Sequence, residues 1–146
     1  MARAAPGTRD AYRAFVPVQT RWADMDAYGH MNNAAYLSVI DTAVSLWQMD
    51  HGWALTGPDA LRFVTVETGV RYHAEIAFPG TLDCGIRVGH LGRSSTRFEV
   101  GLFAADADTA SAEGLFAIVL TGADGAPTPI PDGPRAQLQA IATQAL

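Results

Sequence analysis

The sequence contains no lysine, and its ten basic residues, all arginines, are outnumbered by fifteen acidic residues. The formal net charge of -5 therefore gives no indication of a protein that holds nucleic acid through a general basic surface. The single cysteine, Cys84, cannot form an internal disulfide, and it is interpreted as a small buried hydrophobe. An anionic ligand would have to be met by a local cluster of arginines.

Long apolar runs are also missing. No stretch approaches the roughly 20 apolar residues that a membrane helix needs, and the start, MARAAPGTRDAYR, lacks the apolar core of a secretory signal. We therefore expect a soluble cytoplasmic protein that binds neither membranes nor nucleic acid. No G-x-S-x-G pattern occurs, so a serine hydrolase of the nucleophile-elbow type is unsupported.

The length and composition suit one folded domain. The chain has 146 residues, of which 49% are hydrophobic and 17% are charged, and this balance is typical of a globular protein with one core. Residues 1–11 are small and polar, and we expect them to form a flexible lead-in. The single domain is predicted over residues 12–146, with no internal repeat and no linker between separate cores.

The predicted elements are one strand, one long helix and then four more strands. Apolar and polar residues alternate between Tyr12 and Trp22, and Pro17 places this first strand at an edge or a bulge. Apolar residues recur at helical spacing over residues 33–49, with Gly52 as the C-terminal cap. Short turn-rich connections then separate four runs rich in β-branched and aromatic residues: 62–76, 81–91, 95–106 and 110–121.

The order of these elements predicts an α+β domain in which one sheet wraps one helix. In the run 62–76, alternation predicts an apolar face consisting of Val64, Val66, Val70 and Tyr72. The opposite face is more polar and carries Glu67, Arg71 and His73. The chain ends with a short amphipathic helix predicted over residues 135–146.

The stretch RWADMDAYGHMNN, residues 21–33, breaks the pattern between the first strand and the helix. An EF-hand loop beginning at Asp24 is excluded, because its acceptor position holds a tyrosine and its bidentate glutamate position holds an alanine. Asp24, Asp26 and His30 could surround another divalent ion, but no further histidine or acid at ligand spacing joins them. We therefore predict no metal site.

Two other interpretations of this stretch remain open. Asp, Gly and Asn are what a strand-to-helix turn needs, because Asp and Asn bond nearby amides and Gly adopts positive φ. Alternatively, the unpaired N–H groups of the first helical turn, near Asn32 and Asn33, could stabilise an oxyanion, with Asp26 as the anionic partner for attack. An aspartate of ordinary pKa is a weak base, so it suits an activated acyl group such as a thioester.

The run DMDAYGHMNNAAYL, the long helix after it and the strand-rich remainder resemble the hotdog-fold acyl-CoA thioesterases of the 4-hydroxybenzoyl-CoA thioesterase type. The loop matches the branch with the pattern D-x-D-x-x-G-H-x-N-N-x-x-Y, and the resemblance covers residues 12–130. It implies a five-stranded antiparallel sheet wrapped around one long central helix. It also implies an enzyme that hydrolyses acyl-CoA to a carboxylic acid and coenzyme A without metal or other cofactor.

The resemblance assigns roles to the loop residues. Asp26, the second aspartate of the pair, is the catalytic carboxylate, acting as a nucleophile or as a general base on water. The backbone amide of Asn33 is the matching oxyanion donor. Three further loop residues shape the loop and line the pocket: Gly29, His30 and Asn32. Asp24 is assigned to structure.

The resemblance also implies how substrate and partner subunits bind. Family members hold coenzyme A partly through a basic residue and a serine that open the fourth strand, where this chain has Arg93, Ser94 and Ser95. Phosphates favour arginine donors and neutral hydroxyls. Hotdog domains pair through sheet edges, so we expect a homodimer or homotetramer. The acyl pocket would be bounded by Tyr36, by Ile40 and by a neighbouring subunit.

Other functions are compatible with parts of this pattern. A thioesterase acting on acyl carrier protein stays open, as does a hotdog module that binds acyl-CoA without cleaving it. The intact Asp26 argues against a pure binder, since a buried anion near a thioester would only add a desolvation cost. Asp41 lies on the helix, where some hotdog thioesterases carry their catalytic acid, but a surface or interface carboxylate paired with an arginine is the favoured interpretation. The motif of hotdog dehydratases is absent.

Overall fold

Five antiparallel strands form one sheet in the computed structural model, which describes residues 2–143. Helix α1 (Ala35–Asp50) follows the first strand, and a shorter helix, α2 (Asp132–Ala140), follows the last. The order across the sheet is β1-β3-β4-β5-β2, which confirms the predicted α+β hotdog architecture. The strands are β1 (Ala14–Gln19), β2 (Phe63–Tyr72), β3 (Thr81–Leu91), β4 (Ser95–Phe103) and β5 (Ala112–Leu120). Residues 144–146 of the predicted terminal helix lie outside the described residues.

Helix α1 begins two residues later than predicted because Asn32 forms a turn ahead of it. The side-chain oxygen of Asn32 accepts the N–H of Ala34 at 2.9 Å, and its carbonyl accepts the N–H of Ala35 at 2.8 Å. Gly52 ends the helix region with a φ of 79°, as its predicted capping role requires. The stripe that α1 buries against the sheet consists of Tyr36, Val39, Ile40, Ala43, Val44, Trp47 and Gln48.

A β-bulge changes the predicted faces of β2. The register of β2 against β5 shifts at Val66, which has no partner on β5. Val64 and Arg71 pair with β5 residues six positions apart and therefore share one face, which points away from α1. The prediction that Val64 shares a face with Val70 and Tyr72 was wrong. Alternation in a sequence does not show where an extra residue interrupts the strand pairing.

The end of the predicted lead-in lies against the face of the sheet that points away from α1. The carbonyl of Gly7 accepts the N–H of Ala110 at 2.9 Å. Tyr12 crosses Gly85 and Gly101, where an added Cβ would lie 2.7 and 2.6 Å from its ring, so both positions require glycine. This part of the lead-in contacts the sheet, whereas the flexibility of the residues before it stays a prediction.

The core lies between α1 and the sheet, and Cys84 is fully buried within it. Burial, together with the neighbouring Asp83 carboxylate, raises the pKa of the Cys84 thiol to about 12. The thiol therefore remains protonated at neutral pH, which agrees with its interpretation as a buried hydrophobe. Over residues 2–143, no helix is both long and apolar enough to span a bilayer.

Candidate active site

An open pocket of about 520 Å³ lies where the start of α1 meets the end of β2. The predicted site residues Asp26, His30 and Asn33 line it, and so does Tyr36, which was predicted to bound the acyl group. Tyr72 and Glu75, from the end of β2 and the segment after it, complete the opposite wall. The fold thus brings Asp26, His30 and Asn33 to one cavity, whose lining does not include the other two predicted loop residues, Gly29 and Asn32.

Backbone hydrogen bonds close the loop before α1 into a tight turn. The N–H of Asp26 donates to the carbonyl of His30 at 2.8 Å, and the N–H of Gly29 donates to the carbonyl of Asp26 at 3.1 Å. Gly29 has a φ of 79°, which a residue with a side chain adopts only at a cost. The glycine of the motif is therefore a requirement of the turn.

The two carboxylate oxygens of Asp26 have different surroundings. Oδ1 accepts the N–H of Tyr28 at 2.8 Å and the N–H of His30 at 3.3 Å. Within residues 2–143, Oδ2 accepts no hydrogen bond. The side chain is half-buried in the pocket wall. One oxygen is thus held by the loop, while the other is available to a water molecule or a substrate.

The backbone of Asn33 offers a donor to the same pocket. Asn32 engages the N–H groups of Ala34 and Ala35, but the N–H of Asn33 has no acceptor in the part of the chain that the structure describes. The carbonyl of Asn33 accepts the hydroxyl of Tyr72 at 2.9 Å. An unpaired N–H at the start of a helix, beside a pocket, is suited to stabilising a developing oxyanion.

Asp24 supports the loop from behind and does not line the pocket. Its carboxylate is 7% exposed and is held in a fork by Arg21, at 2.7 Å and 3.0 Å. The hydrogen bonds from Arg21 outweigh the effect of burial and hold the pKa of Asp24 below its ordinary value. The carbonyl of Asp24 accepts the N–H of Asn32 at 2.8 Å, which fixes the path of the chain into α1.

Sequence reasoning missed the acidic partners of two histidines near the pocket. Nε2 of His30 lies 3.0 Å from the carboxylate of Glu75. His73, which also lines the pocket, is buried and lies 2.8 Å from Glu113, whose second oxygen accepts the hydroxyl of Tyr12. Burial acts to raise the pKa of Glu113, but hydrogen bonds from His73 and Tyr12 outweigh it and lower that pKa overall. No sequence spacing signals these contacts, because each joins distant segments.

The predicted coenzyme A residues lie far from this pocket within one chain. Across the sheet, Tyr72 pairs with Ala112, and Ala112 pairs with Leu102 on β4. Ser95 stands seven residues before Leu102, at the opposite end of β4, which is roughly 23 Å away at about 3.3 Å per residue. A single chain therefore does not bring Arg93, Ser94 and Ser95 to the pocket of Asp26.

Two further predicted residues lie outside the pocket lining. Ile40 is fully buried beneath Gly114, where an added Cβ would lie 2.3 Å from its Cδ1, so its predicted place in the acyl pocket was wrong. Asp41 is exposed on α1, as its interpretation as a surface carboxylate predicts, but among residues 2–143 it forms no ion pair with an arginine. Among residues 2–143, no group of three His, Cys, Asp or Glu side chains could hold a metal ion.

Comparison with known proteins gives consistent matches over most of the chain. The family model described as the thioesterase-like superfamily matches residues 20–138. The crystal structure of the PA5185 protein from Pseudomonas aeruginosa is 34% identical, with a TM-score of 0.91, and the match covers 97% of this chain and 100% of that chain. No curated protein matches this chain.

Two further solved structures carry functional descriptions of their own. A thioesterase from Thermus thermophilus, complexed with coenzyme A and zinc, is 30% identical with a TM-score of 0.75, covering 90% of this chain and 96% of that chain. A 1,4-dihydroxy-2-naphthoyl-CoA thioesterase from Synechocystis is 14% identical with a TM-score of 0.77, covering 85% and 93%. The second likeness is one of fold.

Proposed function

Because this chain belongs to the thioesterase-like superfamily, we propose that it hydrolyses acyl-CoA thioesters to a free carboxylic acid and coenzyme A. The observation that supports this most directly is the meeting of two groups in one pocket. Asp26 presents an oxygen with no partner among residues 2–143, and the backbone of Asn33 presents an N–H that is likewise without one. Attack on a thioester needs such a carboxylate and such an oxyanion donor.

In the proposed reaction, the thioester oxygen binds at the N–H of Asn33, so that the charge of the tetrahedral intermediate develops against a preorganised donor. Oδ2 of Asp26 either attacks the carbonyl carbon or removes a proton from an attacking water. Direct attack expels the thiolate of coenzyme A and leaves a mixed anhydride, which water then hydrolyses. The general-base route gives the acid in one displacement. Both routes suit a weakly basic carboxylate, because a thiolate is a good leaving group.

We further propose that the active unit is a homodimer formed through β2. This strand is an edge of the sheet, is ten residues long, and exposes Val64 and Val66 at 41% and 61%. The other edge, β1, is shorter and contains Pro17, a residue that blocks strand pairing. A long edge that exposes two valines is suited to pairing with a second copy.

Pairing through β2 would also bring the predicted coenzyme A residues of a second copy nearer to the pocket than those of the same chain. An antiparallel pair related by a two-fold axis places the start of one β2 beside the end of the other. Ser95 pairs with Val119, and Val119 pairs with Val64 near the start of β2. The turn of Arg93, Ser94 and Ser95 in the second copy would then lie about three strand spacings, about 14 Å, from the end of β2 and its pocket.

The test is a thiol-release assay with short, medium, long and aromatic acyl-CoAs, run on the wild type and on Asp26→Asn. We expect turnover that depends on Asp26, and the preferred acyl class follows from the same panel. Cys84 contributes no signal from the folded protein, because its thiol is buried and protonated. Tight acyl-CoA binding without thiol release by the wild type would contradict the proposal and favour the binding module. Hydrolysis of acyl groups carried by acyl carrier protein, with none of acyl-CoA, would instead assign acyl carrier protein thioesters as the substrate.

A further inference from the structure

Tyr72 links the end of β2 to the residue that carries the candidate oxyanion donor. Its hydroxyl donates to the carbonyl of Asn33 at 2.9 Å. In the described chain, no other side chain hydrogen-bonds to the backbone of Asn33. The candidate donor is the N–H of this same residue. Tyr72 therefore binds the carbonyl of the residue whose N–H is proposed to stabilise the oxyanion.

A second contact holds the ring of Tyr72 in place. It packs edge-on against Tyr36 in the first turn of α1, with ring centroids 4.8 Å apart and an interplanar angle of 86°. Pairing of Tyr72 with Ala112 on β5 fixes its backbone within the sheet. Tyr72 thus contacts the start of α1 at two points, once through its hydroxyl and once through its ring, from a strand of fixed register.

We propose that Tyr72 is a positioning residue for the Asn33 amide, an inference that rests on the proposed thioesterase function. The turn made by Asn32 restrains Asn33 through the N–H groups of Ala34 and Ala35, and the hydroxyl of Tyr72 restrains its carbonyl. These contacts fix the orientation of the Asn33 N–H before the substrate binds. A donor that is already oriented needs no reorganisation when charge develops, so its benefit is realised in the transition state.

The variant Tyr72→Phe tests this role, because it removes the hydroxyl and retains the ring against Tyr36. We expect kcat to fall about two- to tenfold, the range that one neutral hydrogen bond supports, while KM stays within about twofold. Thr42→Val is the matched control. It also removes a hydroxyl that donates to a backbone carbonyl, that of Ser38 at 2.8 Å, but Thr42 is exposed on α1 outside the pocket lining, and we expect kcat to be unchanged.

Amide hydrogen exchange of the same variants separates positioning from direct contact with substrate. We expect the N–H groups of Ala34 and Ala35 to exchange faster in Tyr72→Phe than in the wild type, with the amides of β3 unaffected. A lower kcat with unchanged exchange would overturn the positioning role in favour of contact between the hydroxyl and the substrate. An equal loss of kcat in Thr42→Val would overturn it as well, because the loss would then follow from removing any such hydroxyl.

The outcome also distinguishes this inference from the function on which it rests. Turnover that depends on Asp26 but is unchanged in Tyr72→Phe would overturn the role of Tyr72 and leave the thioesterase proposal standing. A rise in KM with constant kcat would overturn it as well, since that pattern reports substrate binding. A wild-type protein that releases no thiol from any acyl-CoA would overturn both.

Discussion

Nε2 of His30 lies 3.0 Å from Oε2 of Glu75, and this contact joins the loop before α1 to the segment after β2. Both side chains are accessible to solvent, at 39% and 73%. The loop does not depend on these two side chains alone, because the backbone N–H groups of Tyr28 and His30 donate to the carboxylate of Asp26. The contact between His30 and Glu75 therefore supplements a turn that other hydrogen bonds already close.

The first prediction concerns Glu75→Gln. Contacts between exposed side chains contribute little, so we expect the free energy of unfolding to change by less than about 0.5 kcal/mol and turnover to stay within about twofold. Urea denaturation and the thiol-release assay measure the two quantities. A tenfold loss of kcat with unchanged stability would mean that His30 and Glu75 take part in proton transfer, which contradicts this expectation.

Gly29→Ala should destabilise the protein by about 1 kcal/mol, because it forces a residue with a Cβ into positive φ. No atom lies within 4 Å of the added Cβ, so the cost comes from the backbone conformation. Gly133→Ala is the control: it also meets open space, but it lies in α2 at an ordinary φ. There we expect no loss, or a gain of up to about 1 kcal/mol. Equal effects of the two variants on urea denaturation would contradict this account.

The ion pair behind the loop predicts a pH dependence of stability. Since Arg21 lowers the pKa of Asp24 in the folded state, this pair stabilises the protein above the ordinary aspartate pKa of about 3.9. The contribution is lost as pH falls through the lowered folded value. Arg21→Gln should therefore reduce the free energy of unfolding at pH 7, and the difference from the wild type should shrink below about pH 4.

The control for that experiment is Arg13→Gln. Arg13 is exposed, and its guanidinium donates to the carbonyl of Asp10 without forming an ion pair among residues 2–143. We expect a small effect that does not change between pH 7 and pH 3. A deficit in Arg21→Gln that stays constant over the same range would show that Asp24 does not cause it.

Val66→Lys tests the proposed dimer. A lysine on an exposed strand edge opposes pairing of two identical edges, because it brings like charges together. We expect light scattering to show a dimer for the wild type and a monomer for the variant, with loss of turnover. Leu55→Lys makes a similar change at an exposed position outside β2 and should remain dimeric. A wild-type monomer with full activity would refute the composite site.

The elements that sequence predicted well are those with a regular local signal. The apolar stripe of α1 repeats at helical spacing, and the runs that became β3, β4 and β5 alternate between clear turns. Asp26, Gly29 and Asn33 lie together because they are neighbours in one short loop. Their closeness in the sequence was enough to indicate that they share one region, while their proposed roles rest on the family resemblance.

What sequence did not predict depends on contacts between distant segments. The bulge at Val66 is visible only in the pairing of β2 with β5. Glu75 and Tyr72 reach the loop because β2 ends beside the start of α1, and no spacing in the chain encodes that distance. Arg93, Ser94 and Ser95 matched the family pattern, but within one chain the strand pairing places them at the opposite end of the sheet from Asp26.

The most direct test of the account is the rate of thiol release by Asp26→Asn beside Asp41→Asn, each against the wild type with its best acyl-CoA. Both variants replace an aspartate by asparagine, but only Asp26 lines the pocket, whereas Asp41 is exposed on α1. We predict that Asp26→Asn loses about a hundredfold or more of kcat and that Asp41→Asn retains it. Turnover by Asp26→Asn within a few-fold of the wild type would contradict the assignment of Asp26 as the catalytic carboxylate.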